Sequence, residues 1–155
     1  MIENEIRLAN ITKDDIILHI GCGSLPVTSI ALAKKTGAKI TSIDIKHKSV
    51  KQAQLFVSKY NLSNQIKIIH ADANHFPMDE FDLVLLSQGI KPHKEILAYV
   101  SQSINPETRV IFRSSSEING EFSQNDIFLK DIFKIVKIVN NKKNGLLISI
   151  LLNKK

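Results

Sequence analysis

Short runs of branched apolar residues alternate with segments of helical periodicity along the first two thirds of the chain. The runs DDIILHI (residues 14–20), KITSIDI (39–45), IKIIHAD (66–72), FDLVLLS (81–87) and ETRVIFRSS (107–115) are typical of strands. Because strands that alternate with helices form parallel sheets with helices on both faces, the pattern predicts an α/β fold.

The segments before and between these runs are predicted to be helices. EIRLANI (5–11) reads as an N-terminal helix, and Pro26 suits the first turn of the next one, which Gly37 ends. KSVKQAQLFVSKYN (48–61) is a third helix, and Pro92 opens a fourth. The apolar residues expected to face the core are Ile30, Leu32 and Ala33; Val50, Ala53, Leu55, Phe56 and Val57; and Ile96, Leu97 and Val100.

The rhythm changes in the last quarter of the chain. SQNDIFLKDI (123–132) predicts a short helix, and FKIVKIV (133–139) and LLISILL (146–152) predict two strands. Asn144-Gly145, in the segment between those strands, is a strong signal for a hairpin turn. We therefore expect a second type of strand pairing, antiparallel, at the end of the chain.

Together these elements predict a Rossmann-like, doubly wound, mostly parallel seven-stranded sheet with a C-terminal antiparallel hairpin. We expect a single domain: an N-terminal helix in residues 1–13, a β-α core in 14–113 and the hairpin in 132–152. At 155 residues and 43% hydrophobic composition, the chain can bury one sizeable core.

Cysteine usage and hydrophobicity narrow the classes further. Cys22 is the single cysteine, which excludes an intrachain disulfide, and no metal-ligand cluster is apparent, so we expect no metal. Between two glycines, Cys22 could be a nucleophile, but we favour a small residue that fills a tight turn. The first residues contain acids and no long apolar run, so we expect no signal peptide, no membrane segment and a cytoplasmic protein.

The formal net charge of +6 raises nucleic acid as a partner. The excess lysines of the last quarter, however, alternate with isoleucines that we expect to face the core, and they form no block with aromatic residues. We therefore favour a solvated lysine-rich surface and a small-molecule substrate.

In a doubly wound sheet, ligands bind beyond the carboxyl ends of the strands, where the strand order reverses. The residues that end predicted strands are Gly21 to Pro26, Asp44, Asp72, Ser87 and Arg113. These are the candidate functional residues.

The loop from Gly21 to Pro26, together with Asp44, suggests a binding site for a nucleotide. Gly21 and Gly23 would allow a tight turn and the approach of a ligand to the backbone. Asp44 lies at the distance from them, roughly 20 residues, at which an acid accepts hydrogen bonds from both hydroxyls of a ribose. The alternative role of Asp44 is a helix cap.

Asp72 ends the third predicted strand within HADANHF. An acid there can reach the exocyclic amine of an adenine, and Ala71 and Ala73 leave room for the flat ring. Its weight comes from its place in an ordered series, because the carboxyl ends of parallel strands meet at one edge of a sheet.

The series HIGCGSLP, SIDI, HADANHF and FDLVLLS, with the terminal hairpin, resembles the successive motifs of class I S-adenosylmethionine-dependent methyltransferases from about residue 14 to 152. The resemblance implies that Gly21 and Gly23 contact the methionine part of the cofactor, Asp44 the ribose and Asp72 the adenine. The full set of cofactor-binding residues expected on this basis is Gly21, Cys22, Gly23, Ser24, Asp44, Ile45, Ala71, Asp72, Ala73 and Ser87.

Two positions depart from the family pattern: His19 stands where an acid is usual, and Leu25 stands in place of a third glycine. The loop GCGSLPVTSIALA resembles that of the nicotianamine synthase group, in which Pro-Leu-Pro follows Gly-x-Gly. The strand NPETRVIFRSS resembles that group's fifth strand, which ends in an arginine. Those enzymes share the methyltransferase fold but transfer the aminocarboxypropyl arm of the cofactor.

The resemblance implies an S-adenosylmethionine-dependent transferase, first of all a methyltransferase with a small-molecule acceptor and S-adenosylhomocysteine as product. The alternative is an aminocarboxypropyl transferase, which releases methylthioadenosine, and a further alternative is a non-catalytic cofactor-binding module. Nicotianamine synthases carry a further N-terminal helical domain that helps close the cavity. Since a short segment precedes the first strand here, we expect a homodimer or a partner subunit to cover the site.

The catalytic residue is unknown from the sequence, with Ser87, His93 and Arg113 as the candidates. Ser87 and Gln88 end the fourth strand, where substrate meets the sulfonium in the family. His75 or His93 could act as a general base or be merely exposed. Arg113 could bind a carboxylate or form a surface ion pair.

Overall fold

The computed structural model describes residues 1–115, 121–141 and 147–155. The strands are β1 (Ile16–Ile20), β2 (Lys39–Asp44), β3 (Ile66–His70), β4 (Leu83–Leu86), β5 (Arg109–Ser114), β6 (Phe133–Asn140) and β7 (Ile148–Lys154). The helices are α1 (Ile2–Ala9), α2 (Val27–Thr36), α3 (His47–Lys59), α4 (His93–Ser103) and α5 (Glu121–Ile132).

The strands form one seven-stranded sheet in the order β3-β2-β1-β4-β5-β7-β6. Strands β1 to β5 pair in parallel, and β7 pairs antiparallel with both β5 and β6. This confirms the predicted Rossmann-like fold with its antiparallel C-terminal pair. The predicted Asn144-Gly145 turn lies outside the described residues.

Two hydrophobic cores lie on opposite faces of the sheet. Because successive side chains of a strand point to opposite faces, Ile17 packs in one core and Leu18 in the other, and both are fully buried. The core that contains Ile17 is covered by α1, α2 and α3, and the core that contains Leu18 by α4 and α5. Both faces of the central strand are therefore apolar, as in other parallel sheets.

Helix α2 begins and ends where the sequence predicts. Pro26 is its N-cap residue, and Gly37 ends it in the left-handed conformation, at φ 79°, with its N–H donating to the Ala33 carbonyl at 2.9 Å. Helix α1 lies earlier than the predicted 5–11, because Asn10 adopts a left-handed conformation and ends it.

Helix α3 corrects one expected core residue. Its buried side chains are Val50, Ala53 and Val57, which follow helical spacing. Leu55 lies on the opposite side of the helix and is 71% exposed, so the expectation that it faces the core is wrong.

The strand order reverses at β1. This strand pairs with β2 on one side and with β4 on the other, so the chain runs outward from β1 in both directions. A crevice opens beyond the carboxyl ends of strands at such a point. No helix within the described part of the chain is long and apolar enough to cross a membrane.

Candidate functional site

The loop that follows β1 is fixed to the neighbouring strand by its backbone. Gly21 and Gly23 have φ angles of 80° and 66°, in the left-handed region that favours glycine. The N–H groups of Gly21 and Cys22 both donate to the Ile43 carbonyl, at 2.9 and 3.2 Å. The Gly23 N–H donates to Oδ2 of Asp44 at 2.8 Å, so the end of β2 holds the first half of the loop.

The two glycines have different surroundings. A Cβ on Gly21 would lie 2.5 Å from Cγ2 of Ile90, so the loop after β4 rests directly on this glycine. A Cβ on Gly23 would meet nothing within 4 Å. Gly23 therefore leaves open space beside the backbone, which a bound molecule can approach.

Asp44 sits at the carboxyl end of β2 with its carboxylate partly exposed. Oδ2 accepts the Gly23 N–H, and Oδ1 accepts the Lys46 N–H at 2.9 Å. A carboxylate has about four lone-pair positions, so about two remain for further donors. Lys46 is the N-cap residue of α3 and no side-chain cap is made there, so Asp44 does not cap that helix.

Asp72 follows β3 and caps the short 3₁₀ helix Ala73–His75. Its Oδ1 accepts the Asn74 N–H at 2.9 Å, and its Oδ2 lies 3.2 Å from Nδ1 of His75. The side chain of His75 is 83% exposed. His75 thus lies at the solvent-exposed side of Asp72.

One cavity of about 560 Å³ joins these groups at the carboxyl edge of β1, β2, β3 and β4. Of the residues proposed from the sequence, those that line it are Gly21, Gly23, Asp44, Ile45, Ala71, Asp72, Ala73 and Gln88. Cys22, Ser24, Ser87, His93 and Arg113 are not among its lining residues. Glycines, two acids and two small alanines thus converge on one crevice, whereas none of the three catalytic candidates does.

The model of the family described as the methyltransferase domain matches residues 17–107, more than half of the chain. The chain belongs to the methyltransferase-domain family. Its sheet also has the Rossmann-like arrangement that the resemblance implied.

Similar curated proteins include two with different reactions. The L-histidine 2-aminobutanoyltransferase of Pseudomonas aeruginosa is 24% identical over 131 residues, which are 79% of this chain and 47% of that protein. The probable cobalt-precorrin-6B C(15)-methyltransferase of Methanobrevibacter smithii is 23% identical over 103 residues, 65% of this chain and 54% of that protein. The methyltransferase-domain chain therefore spans about half the length of the curated relatives it matches.

Among solved structures, the fold is similar to that of a mutant of the nicotianamine synthase MtNAS in complex with S-adenosylmethionine. The TM-score is 0.86 at 20% identity, and the match covers 98% of this chain and 59% of that one. At this identity the likeness concerns the fold.

The cavity of this methyltransferase-domain chain is also lined by residues that the sequence did not predict to belong to a site. Lys46 and Ser49 follow Asp44, and Ile90, Lys91 and Ile96 belong to the segment after β4. A sequence signal existed for that segment: Gly89, at φ 92°, and Pro92 mark a loop directly after the strand end. That signal does not show that Ile90 lies against Gly21 and lines the cavity.

His19, where the family usually has an acid, is 1% exposed. Its Nδ1 lies 2.7 Å from the Ser29 hydroxyl and its Nε2 2.7 Å from the Ser87 hydroxyl. Burial, and second the charge of Arg113, lower the pKa of His19 from 6.5 to about 3. The imidazole is therefore neutral, with one nitrogen donating and the other accepting.

Ser87 is held by this histidine. Its hydroxyl meets Nε2 of His19, which comes from the face of the sheet that α1, α2 and α3 cover. This geometry gives Ser87 a role in the buried hydrogen-bond network.

Arg113 corrects both roles weighed for it, because it neither lines the cavity nor lies on the surface. It is 5% exposed, and its Nε and Nη2 donate to the two carboxylate oxygens of Glu5 at 2.8 and 2.7 Å. Its Nη1 donates to the Thr28 hydroxyl at 2.8 Å, and the Ser149 hydroxyl donates to Glu5 at 2.6 Å. All three guanidinium nitrogens of Arg113 are thus engaged within the core, and the side chain is not among those that line the cavity.

Cys22 and His93 are also placed away from the cavity. Burial, and second the charge of Asp44, raise the pKa of the Cys22 thiol to about 12. The thiol stays protonated at neutral pH and Cys22 is not among the lining residues, which favours the interpretation of Cys22 as a small residue that fills a tight turn. The His93 ring lies edge-on to that of Phe112, with centroids 6.0 Å apart, and burial followed by the charge of Lys91 lowers its pKa.

Within the part of the chain that the structure describes, no three His, Cys, Asp or Glu side chains are grouped so that they could hold a metal ion.

Proposed function

We propose that this chain binds S-adenosylmethionine and transfers the methyl group from its sulfonium to a small-molecule acceptor. The observation that carries the proposal is the convergence of Gly21, Gly23, Asp44 and Asp72 on one cavity at the strand-order reversal. Support also comes from MtNAS, which was crystallised with this cofactor, and from the methyltransferase named among the relatives.

The residues present fit the adenosine half of such a cofactor. Asp44 retains free lone pairs toward the cavity for the two ribose hydroxyls, since its present partners are two backbone N–H groups. Asp72 offers a carboxylate for the adenine amine, and Ala71 and Ala73, which also line the cavity, have side chains small enough to leave room for the flat ring. Gly23 would admit the methionine arm to the backbone, because no Cβ fills that space.

The bound cofactor supplies a carbon that already carries a good leaving group, the sulfonium sulfur. The chain's task is then to hold the acceptor in line with that carbon and to exclude water. Gln88, Ile90 and Lys91, which follow β4, also line the cavity and would orient the acceptor. No strong acid or base is required of these residues.

A second candidate is transfer of the aminocarboxypropyl arm of the cofactor, which the loop sequence Leu25-Pro26 favours. Support comes from the Pseudomonas aeruginosa aminobutanoyltransferase and from MtNAS, which are similar to this chain. The two candidates differ only in which carbon of the cofactor faces the acceptor.

The product decides between the two. The chain is incubated with S-adenosylmethionine and a panel of small acceptors that includes L-histidine, and the nucleoside products are separated by liquid chromatography. Methyl transfer releases S-adenosylhomocysteine, and aminocarboxypropyl transfer releases methylthioadenosine. An Asp44→Ala variant, which removes the proposed ribose acceptor, is the negative control.

If wild-type chain binds neither S-adenosylmethionine nor S-adenosylhomocysteine at millimolar concentration in calorimetry, the cofactor assignment is wrong. Binding without either product, for every acceptor tested, would support a cofactor-binding module in place of an enzyme.

A further inference from the structure

A layer of buried polar side chains lies under the first turn of α2, on the face of the sheet opposite α4 and α5. Its charged members are Glu5 and Arg113, both buried, and its neutral centre is His19. Such groups are unusual in a core, because removing charge from water is costly even when the charges are paired. Each nevertheless makes at least two hydrogen bonds.

The layer holds two consecutive hydroxyls. Arg113 donates to the Thr28 hydroxyl at 2.8 Å, and His19 lies 2.7 Å from the Ser29 hydroxyl. Thr28 and Ser29 are the second and third residues of α2, directly after the glycine loop. We call this arrangement of Glu5, His19 and Arg113 on Thr28 and Ser29 the α2 clamp.

The clamp completes the attachment of the loop. The first half of the loop is tied to β2 by the N–H groups of Gly21, Cys22 and Gly23. The second half, Ser24 to Pro26, continues into the first turn of α2, so its position follows from that turn. A loop held at both ends keeps the φ angles at which Gly21 and Gly23 face the cavity.

We propose that Arg113 and His19 are positioning residues for the cofactor loop, which act through Thr28 and Ser29 and draw α1 into the same function through Glu5. This inference rests on the proposed function, since it concerns the loop that would hold the methionine arm. Affinity for the cofactor then depends on side chains that do not touch it.

Substitutions at Thr28 test this directly, because valine keeps the volume of threonine and removes only the hydroxyl. We expect Thr28→Val to weaken binding of S-adenosylhomocysteine about tenfold, which lies within the usual range of coupling between a binding site and a contact outside it. Thr28→Ser restores the hydroxyl and is expected to bind within about twofold of wild type.

A matched control exists at the other end of the sheet. Thr108 is 2% exposed, and its hydroxyl donates to the Phe81 carbonyl at 2.8 Å, at the amino end of β5. Thr108→Val likewise replaces a hydrogen-bonding hydroxyl by a methyl group and is expected to lower the melting temperature without changing affinity. All four proteins are titrated calorimetrically with S-adenosylhomocysteine well below their melting temperatures.

Hydrogen exchange of the amides of Gly21, Cys22 and Gly23 gives a second readout. We expect faster exchange in Thr28→Val and wild-type exchange in Thr28→Ser and Thr108→Val. Wild-type affinity and wild-type loop exchange in Thr28→Val would overturn the inference. If wild-type chain does not bind S-adenosylhomocysteine, the proposed function fails, and the exchange rates then decide whether the clamp fixes the loop.

Discussion

Asp44 carries more of the proposed site than any other single side chain, because it serves both the loop and the ligand. Each carboxylate oxygen accepts one backbone N–H, from Gly23 and from Lys46. An asparagine has one carbonyl oxygen, so it could accept only one of these N–H groups and would turn its own NH₂ toward the other. A neutral, nearly isosteric side chain is therefore a poor substitute here.

We predict that Asp44→Ala weakens S-adenosylhomocysteine binding about ten- to a hundredfold, from the loss of charge-assisted hydrogen bonds to the ribose. We predict that Asp44→Asn also weakens binding and lowers the melting temperature, because the Gly23 or Lys46 N–H loses its acceptor. Calorimetric titration and thermal unfolding of both variants measure the two effects. An affinity within about twofold of wild type in Asp44→Ala would remove Asp44 from the site.

His19 makes the stability of the chain depend on pH. Its pKa is about 3 in the folded chain, against an ordinary value of 6.5, so the unfolded chain binds more protons between these two values. Stability contributed by neutral His19 is therefore present above pH 6.5 and is lost as pH falls toward 3. Between pH 7.5 and 5.5 the expected loss of unfolding free energy is about 1.4 kcal/mol.

Urea unfolding of wild type and His19→Asn at these two pH values checks this prediction. The pH-dependent loss should be about 1.4 kcal/mol smaller in His19→Asn, whatever that substitution does to stability at pH 7.5. His93 also has a lowered pKa and acts in the same direction, so His93→Asn serves as the comparison in which the His19 contribution remains. Equal pH dependence in wild type and His19→Asn would mean that the pKa of His19 is the same in the folded and the unfolded chain, and the prediction would be wrong.

At the scale of elements, the Glu5–Arg113 pair joins α1 to β5 in the middle of a core. Both side chains are buried, the contact is bidentate, and the Ser149 hydroxyl adds β7 to the same carboxylate. Breaking such a pair from one side leaves the other charge buried without its partner. Replacing both sides removes that penalty.

We predict that Glu5→Leu alone lowers the unfolding free energy by about 3–5 kcal/mol, because the Arg113 guanidinium loses its counter-ion. The double variant Glu5→Leu/Arg113→Met should recover part of this loss, since the two apolar side chains can pack together. Urea unfolding of wild type, Glu5→Leu, Arg113→Met and the double variant forms a complete thermodynamic cycle. Additive effects of the two substitutions would show that the pair does not couple α1 to β5.

The elements themselves were largely predictable, because periodicity and turn residues act locally. The alternation of strands and helices, Gly37 at the end of α2 and the series of strand-ending residues all follow from neighbours in sequence. The expectation that Leu55 is buried is wrong because three adjacent apolar residues in α3 leave the buried face of the helix ambiguous in the sequence. The structure shows that Val50, Ala53 and Val57 form that face and that Leu55 lies opposite to it.

The α2 clamp could not be predicted from the sequence, for a physical reason. Glu5 and Arg113 are 108 positions apart, and the two serines that hydrogen-bond His19, Ser29 and Ser87, come from α2 and from the end of β4. A departure from the family pattern at His19 was visible, but its partners exist only once the strands have paired. The same holds for Ile90, whose contact with Gly21 depends on how the loop after β4 returns over the sheet.

On the scale of the whole molecule, the proposed ligand would bind at the end of the buried central strands of the sheet. Gly21 follows β1 and Asp44 ends β2, and the inner residues Ile17, Leu18 and Ile40 of these strands are almost fully buried. A ligand held there should not be released by local opening of a peripheral element, because its contacts belong to strands that open only when the chain unfolds. Binding should therefore be visible in global unfolding.

We predict that S-adenosylhomocysteine at about 100 times its dissociation constant raises the unfolding free energy by about 2.7 kcal/mol, with an upward shift of the melting temperature. Nicotinamide dinucleotides at equal concentration should give no shift. Thermal unfolding with each ligand, on wild type and on Asp44→Ala, measures this. The shift should shrink in Asp44→Ala by the amount that calorimetry gives for its lost affinity, because both report the same linkage. A full shift in Asp44→Ala, or an equal shift with the dinucleotides, would locate the binding of the ligand somewhere other than this cavity.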